Sequence, residues 1–580
     1  MNAKKSDKKK FNLKLANHVF PIVCIGASAG GLDAIKELLE NLPDNIGLAY
    51  VVIQHLAAGQ ESMLSEILSR HTEMPVEKIQ NGMEPKPDHV YVLPSGKTVT
   101  ISGSILKLKP KSGSLKPINE FMQSLAKDRK TNAIGIILSG TGTDGTEGLK
   151  AIRAEGGITL AQDPKTAHYP DMPRNAIAAE TVYYVLPPKK IAEELVNIAH
   201  HPEIAHQKKI EAKEPTEQEI TDNQTKIFAI LKRAFGVNFA NYKQSTINRR
   251  ITRRMVINKI DDKKRYVKVL RENKEELQAL FNDLLIGVTS FFREPETFII
   301  VKEEVLPKLI NHESSKKAIR VWVPGCSTGE EAYSTAIIIT EYLEQNNIVN
   351  KQIQIFGTDA NIKFIDKARR GIYPKIIIDN VSEIRLHNFF TTVNGNYQVN
   401  KRIRDMCVFA KHDISLDPPF SNLDLIICRN LLIYFNSELQ EKIVPIFHYG
   451  LKNHGYLVLG QAESIGRFTN LFKPLTKKGL IFEKKDAQPK VEFHLEAPNM
   501  YTSRRAVSRT KTNSLNVLQK EMDDALYEYT PASILLNEDL DVIVFRGEVD
   551  PYISIDSGVA SLKAIKIVRK DLRPTLQTGL

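Results

Sequence analysis

Ser28 stands in Gly26-Ala27-Ser28-Ala29-Gly30, a G-x-S-x-G pentad between the apolar run PIVCI and the amphipathic run LDAIKELLENL. A strand entering a sharp glycine turn exposes such a hydroxyl beside a helix N-terminus, where backbone N–H groups can hold an oxyanion. The pentad also suits a phosphate loop or a plain strand–helix turn, although Ser28 occupies the second glycine position of the dinucleotide pattern. A serine nucleophile needs a base and an orienting acid. His55 closes the run VVIQHL, and Asp144 follows another apolar run in LSGTGTDGTEGL. Each has a structural alternative, a strand-end histidine or a helix N-cap. Three complementary groups, each at the end of its own parallel strand, favour a hydrolase.

A second constellation lies in IRVWVPGCSTGEEAYS, where an apolar strand runs into Gly325-Cys326-Ser327-Thr328-Gly329 and then a helix. Glycines there let a ligand approach the backbone closely. Asp359 ends the following strand, QIFGTD, where a carboxylate can bind ribose hydroxyls. That spacing suits a nucleoside cofactor; the alternative is an α/β domain with a capped helix.

Strands alternating with helices in 18–200 and again in 318–485 predict two parallel α/β sheets. Between them, residues 226–286 carry helical periodicity with few strand signals. At 580 residues and 42% hydrophobic, the chain has room for several globular domains. Four widely spaced cysteines without CxxC pairs exclude a disulfide framework and a zinc ribbon. No apolar run reaches the ~18 residues of a membrane span, and no signal-peptide core opens the chain, so the expectation is a soluble, cytoplasmic protein with no membrane insertion. The net charge of +12 is local: residues 1–15 carry +5 and residues 242–271 carry +9, leaving −2 for the rest.

The first block resembles the catalytic domain of the bacterial chemotaxis receptor methylesterase through CIGASAGG, VVIQHL, ILSGTGTDGTEGL and AQDPKTAHYPDMPRNAI. The resemblance implies hydrolysis of glutamate methyl esters with Ser28 as nucleophile, His55 as base and Asp144 as orienter. Ala29 stands where the family usually has threonine and Thr141 where it commonly has methionine, both beside the expected oxyanion region. The family's receiver domain has no counterpart in the sequence.

The second block is similar to the chemotaxis receptor glutamate O-methyltransferase through IGVTSFFRE, VWVPGCSTGEEAYS, GTDANIKFIDKARRGIY, FAKHDI and LDLIICRNLLIYF. That likeness implies S-adenosylmethionine as methyl donor. It places Thr289, Arg293, Glu331, Asp359, Asp413, Arg429 and Asn430 on the cofactor pocket, with Glu330 as the alternative to Glu331. Arg293 is expected to hold the acceptor carboxylate, and Tyr434 to stand near the transferred methyl or simply to pack. Asp413 replaces a frequent asparagine, and Gly287 a polar residue. The fold class implied is α/β: two doubly wound parallel domains, methylesterase-type and Rossmann-like, joined by a small all-helical domain.

Within STINRRITRRM, Ile247, Ile251 and Met255 form a stripe at helical spacing, and Arg249, Arg250, Arg253 and Arg254 fall on another face. This is a solvated face or an anion-recognition surface. Beside a glutamate methyltransferase, the expected partner is an acidic receptor helix, with other two-component signalling proteins as further partners. Aromatic residues are too sparse for nucleic-acid stacking, and no metal ligands cluster. The expected organisation is a basic disordered tail at 1–17, the esterase-like domain at 18–203, a linker at 204–224, the helical domain at 225–295, the methyltransferase domain at 296–486, a second linker at 487–515 and a partial PAS-like segment at 516–580. The resulting reading is a fused writer and eraser of glutamate methyl esters; its rivals are a scaffold with degenerate sites and a nucleic-acid methyltransferase.

Overall fold

A computed structural model describes residues 20–487 apart from 56–62, 111–115, 202–221, 286, 312–317 and 477–479, together with short stretches between 533 and 576. The tail expected at 1–17 and most of both expected linkers lie outside the described residues. Of the PAS-like segment, an antiparallel pair (Ser533–Leu536 with Val542–Arg546), a helical turn at Ala564–Ile567 and a few residues around them are described; most of that segment lies outside.

In the first domain, β1 (Ile22–Ala27) and β2 (Ala49–Gln54) pair in parallel. Beside β2 lie β4 (Val90–Val92) and then β3 (Val76–Lys78); β5 (Lys97–Ser102) and β6 (Ile105–Pro110) form a separate hairpin. On the other side of β1 lie β7 (Ala133–Ile137), β8 (Ile158–Gln162) and β9 (Tyr184–Leu186). The sheet order is β3-β4-β2-β1-β7-β8-β9, with every pairing parallel. All six β1 residues are buried, because helices cover both faces of a parallel sheet. Among those helices are α1 (Gly31–Glu40), α2 (Pro117–Arg129) and α3 (Thr146–Glu155). The chain builds outward from β1 in both directions, so the C-terminal ends of β1 and β7 form the crevice where such sheets bind ligands.

The middle unit is helical: α4 (Asp222–Phe235), α5 (Gln244–Ile257), α6 (Lys263–Glu272) and α7 (Lys274–Leu284). Asp262 and Asn273 cap α6 and α7 by accepting backbone N–H bonds. Ile247, Ile251 and Met255 are buried in one core with Trp322 and Phe435 of the next domain. Backbone bonds tie the units as well: Lys243 N–H donates to the Tyr434 carbonyl at 2.8 Å, and Asn436 N–H to that of Asn241 at 3.0 Å.

The second sheet is built on β10 (Ile319–Pro324), β11 (Ile353–Asp359), β15 (Cys407–Lys411), β16 (Leu423–Cys428) and β17 (Leu451–Leu459), all in parallel. Antiparallel β18 (Phe472–Pro474) and β19 (Ile481–Lys484) extend it, giving the order β15-β11-β10-β16-β17-β19-β18. Helices α8 (Glu330–Gln345) and α9 (Ile362–Arg370) follow β10 and β11. No sequence pattern marks the small antiparallel sheet of β12 (Ile372–Tyr373), β13 (Phe390–Val393) and β14 (Asn396–Val399), whose strands are only two to four residues long.

Arg249, Arg250, Arg253 and Arg254 do not form an open anion-recognition face, because α5 packs against the C-terminal end of α3 in the first domain. Arg250 donates to the carbonyls of Arg153 (2.8 Å) and Ala154, and Arg253 to that of Arg153 at 2.9 Å. Arg254 pairs with Glu276, and Arg249 is half-buried with Thr246 and beside Gly156. Arg250 and Arg253 are both 3% exposed. A helix C-terminus leaves its last carbonyls without partners and carries partial negative charge, which is what a guanidinium satisfies. The surface on which a nucleic-acid reading rested is therefore closed.

Candidate active sites

Ser28 follows β1 directly, 9% exposed, with its N–H bonded to the Ser139 carbonyl at 3.0 Å across the crevice. Gly140 packs against it so closely that a Cβ there would lie 2.8 Å from the Ser28 Cβ. The N–H groups of Ala29 and Gly30, ahead of α1, have no internal acceptor among the described residues. His55 ends β2, and its Nε2 lies 2.8 Å from Asp144 Oδ2. With Nε2–H donating to the carboxylate, Nδ1 is the nitrogen left to serve as base, the reverse of the arrangement in which Nδ1 faces the acid.

Asp144 is 3% exposed and also accepts from the N–H groups of Ile118 (3.0 Å), Asn119 (2.9 Å) and Gly145 (2.9 Å). Two of these donors belong to the first turn of α2, whose N-terminus favours a carboxylate. The expected alternative role of Asp144, capping the helix that follows it, is thus secondary to holding the start of a different helix. The sequence signal for α2 as a partner was Pro117 at its first position.

The second site lies at the corresponding crevice between β10 and β16. Thr289, Arg293, Glu331, Asp359, Asp413, Arg429, Asn430 and Tyr434 share one pocket there, enclosing about 920 Å³ with its open mouth. Gly329 (φ 95°) begins α8 where a Cβ would lie 2.8 Å from that of Ala368. Asp359 accepts from the N–H groups of Ser327 (3.1 Å) and Asn361 (2.8 Å). Arg429 is 4% exposed and pairs with Glu331 (2.8 Å) and Glu294 (2.9 Å). Glu330 does not face this pocket. It accepts from Thr328 Oγ1 at 2.6 Å and lines a separate cleft.

Comparisons with known proteins identify three domains along the chain. CheB methylesterase matches residues 23–195, the all-alpha domain of CheR methyltransferase matches 224–285, and its SAM-binding domain matches 287–480. The chemotaxis protein methyltransferase of Borreliella burgdorferi is 31% identical over 259 residues, 43% of this chain and 90% of that protein. The chain belongs to the chemotaxis methyltransferase family. It carries a methylesterase domain in front: the protein-glutamate methylesterase/protein-glutamine glutaminase 1 of Syntrophus aciditrophicus is 36% identical over 184 residues, 31% of this chain and 53% of that one. A 104.1 kDa protein of Rhodobacter capsulatus, encoded 3′ of hypE, is 31% identical over 534 residues. That is 88% of this chain, which spans only 56% of that relative's length.

The pocket of the methyltransferase half fits S-adenosylmethionine. Ser327 Oγ, His412 Nδ1, Asp413 Oδ2 and Arg429 Nε line it as buried polar atoms without a partner among the described residues. A polar nucleoside with an amino-acid tail supplies partners for such groups. Burial pushes the Asp359 carboxyl up to about 6; its two backbone donors oppose the rise and Asp413 adds to it. The replacement of asparagine by Asp413 therefore has a local consequence, a second carboxylate facing the first. Gly287 is accounted for by Phe364, whose ring occupies the place of a Cβ.

Two groups escaped the sequence reading. Tyr242, from the helical unit, lines the pocket with its ring 5.0 Å from that of Phe435. Glu463 lies just beyond β17, and its carboxylate accepts from the N–H groups of Asn430 (2.9 Å), Leu431 (2.8 Å), Leu432 (2.7 Å) and Gly460 (2.7 Å). It fixes the loop carrying Arg429, Asn430 and Tyr434. Its only sequence signal was a glutamate shortly after a buried strand, in GQAES.

Proposed function

We propose that this chain writes and erases methyl esters on glutamate side chains of chemoreceptor-like signalling proteins, working on their acidic helices. The observation that supports this most directly is the presence of two reactive crevices in one chain, Ser28 beside the His55–Asp144 pair and the carboxylate-lined pocket at Asp359. Four free thiols, three of them buried, fit a reducing compartment, and the reading places the chain in the cytoplasm.

For erasure, Ser28 Oγ adds to the ester carbonyl carbon while its proton passes to His55. The Ala29 and Gly30 N–H groups hold the oxyanion, and Asp144 stabilises the charged imidazole. The C–OCH3 bond then breaks, and methanol leaves with the His55 proton. Water, deprotonated by His55, cleaves the acyl–serine ester, freeing the glutamate carboxylate and restoring Ser28.

For writing, S-adenosylmethionine when bound supplies a methyl group on a positively charged sulfur. The acceptor needs no base, because a glutamate side chain with a pKa of about 4.3 is already a carboxylate at neutral pH. What remains for the protein is alignment and exclusion of water. Arg293, half-buried and tied to the Val288 carbonyl at 3.0 Å, orients the acceptor. Tyr434, whose hydroxyl burial keeps protonated, stands as a hydrogen-bond donor.

The test incubates the chain with radiolabelled S-adenosylmethionine and receptor cytoplasmic fragments, then follows methanol release. Label on glutamate, and methanol release abolished by Ser28→Ala, are expected. No label transfer together with no cofactor binding overturns the writing half; unchanged release from Ser28→Ala overturns the erasing half.

A further inference from the structure

A cleft runs between the two enzymatic halves and opens beside the cofactor pocket. It encloses about 1620 Å³ with its mouth, and Val288, Thr289 and Phe364 line both spaces. One wall is the outer face of α3, with Lys150 and Arg153; the other is α9, with Lys363, Lys367 and Arg370. The lining holds six cations against four carboxylates. Arg250 and Arg153 are committed to the domain boundary, the latter with Arg253 on Asp283, and burial raises the pKa of another carboxylate, Glu330. Lys150 pairs with its helix neighbour Glu147 at 2.7 Å, both partly exposed, so an incoming carboxylate competes with a surface ion pair. Lys363 and Arg370 are exposed and form no ion pair among the described residues. Lys367 reaches Glu180 of the esterase half only at 3.6 Å, and that carboxylate is 75% exposed.

Groups of both halves act on the same side chains as well. Burial raises the pKa of the Tyr434 hydroxyl and Glu155 at the end of α3 adds to it, while burial raises that of Glu330 and Lys150 and Lys367, from opposite walls, both oppose the rise. The arginine face of α5, which would otherwise receive an acidic helix, is sealed by α3. The positively charged cleft beside Thr289 is an open approach to the methyl-transfer site.

We infer that the methylesterase half forms one wall of the methyltransferase's acceptor cleft, so that a glutamate-bearing acidic segment is held between Lys150 on one domain and Lys363, Lys367 and Arg370 on the other. The inference rests on the proposed transfer to glutamate. It adds that specificity for the acceptor is shared across the domain boundary, with Lys150 as a recognition residue supplied by the esterase half.

The test uses the full chain saturated with S-adenosylhomocysteine and a fluorescent peptide from a chemoreceptor methylation helix with several glutamates. Binding is read by anisotropy for the wild type, for Lys150→Glu and for Lys363→Glu/Arg370→Glu, each with a thermal melt to establish folding. Affinity is expected to fall at least ten-fold in both variants, and wild-type binding to weaken as salt rises. A photo-crosslinking residue in place of Glu180 provides a second readout, and capture of the peptide is expected. Lys150→Glu binding within two-fold of wild type, no binding by the wild type, or no capture from position 180 overturns the inference. Methyl transfer to the same peptide is measured in parallel. Binding without transfer refutes the functional reading and leaves the cleft assignment standing; transfer indifferent to Lys150 does the reverse.

Discussion

The Arg250 guanidinium of the methyltransferase half donates to the carbonyl of Arg153 in the methylesterase half at 2.8 Å, and the Arg153 side chain returns across the boundary to Asp283 at 3.0 Å. The two arginines thus exchange places, each satisfied by the other's domain. Arg153 and Arg253 both stack on Tyr183, 4.6 and 4.8 Å from its ring centroid. Arg250, Arg253 and Asp283 are buried and Arg153 and Tyr183 half-buried, and such charge-assisted contacts are costly to break from one side.

Arg250→Ala is therefore expected to destabilise domain docking by about 1.5–3 kcal/mol, the range for a hydrogen-bonded charged group. Calorimetry should resolve one cooperative transition for the wild type into two for the variant. Arg250→Lys should rescue little, since a point charge cannot reach both carbonyls in fork geometry. An unaltered single transition in Arg250→Ala would show that these bonds do not hold the halves together.

Asp379 makes a second bridge. It lies in the methyltransferase domain, yet it forms an ion pair with Lys116 and accepts from Thr143 Oγ1 at 3.2 Å. Lys116 precedes the turn of α2 that holds Asp144, and Thr143 adjoins Asp144 in sequence. Asp379→Ala should slow methanol release by the intact chain by roughly three- to ten-fold, a loss equivalent to about 1 kcal/mol. Equal rates for variant and wild type on a methylated receptor fragment would exclude that coupling.

The Asp359 carboxyl titrates near 6 in the folded chain, against an ordinary 3.8. Between those values the folded state holds a proton that the unfolded state has released. Stability of the cofactor-free chain therefore falls as pH rises through that window, by up to roughly 3 kcal/mol. Ribose hydroxyls donate to the charged form, so cofactor affinity should rise with pH until just above 6 and binding should release a proton. Titration calorimetry at pH 5.5 in buffers of different ionisation heats reads that proton, and Asp359→Asn should abolish it. Heats that do not depend on the buffer would exclude Asp359 as the linked group.

Four backbone N–H groups converge on the Glu463 carboxylate. Each carboxylate oxygen accepts two of these bonds, so in Glu463→Gln the amide NH2 faces two donors whichever oxygen it replaces. Losing about 2–3 kcal/mol of loop preorganisation should weaken S-adenosylhomocysteine binding roughly 30- to 150-fold. Ester hydrolysis at Ser28, in the other half, reads whether the change is local. Wild-type cofactor affinity in the variant would rule out a positioning role.

Much of each site was legible because its residues sit where strands end. Ser28, His55 and Asp144 follow β1, β2 and β7; Gly325, Asp359 and Arg429 follow β10, β11 and β16. A buried parallel strand is a near-continuous apolar run, so the polar residue that breaks it stands out and marks the ligand-binding edge of the sheet. Groups with no such local contrast were hidden. Glu463 looked like any polar residue beyond a strand, and Tyr242 like a lone aromatic in a basic stretch. The choice between Glu330 and Glu331 needed the rotation of α8, which starts at the very residue in question.

The amino-acid sequence alone determined the two α/β sheets, the helical unit between them and the burial of Ile247, Ile251 and Met255. These follow from periodicities and breaks within a few residues of one another, whereas most of the candidate cofactor residues came from the family resemblance. Only the tertiary structure decided what the arginines of α5 do. Their spacing marks a charged face whether it meets water, an acidic helix or the end of another helix. What settles the matter is the approach of the α3 carbonyls, roughly a hundred residues away in the chain. Unpaired carbonyls at a helix end and a guanidinium fork are each commonplace locally, and become a specific interface only when the fold brings them within hydrogen-bonding distance.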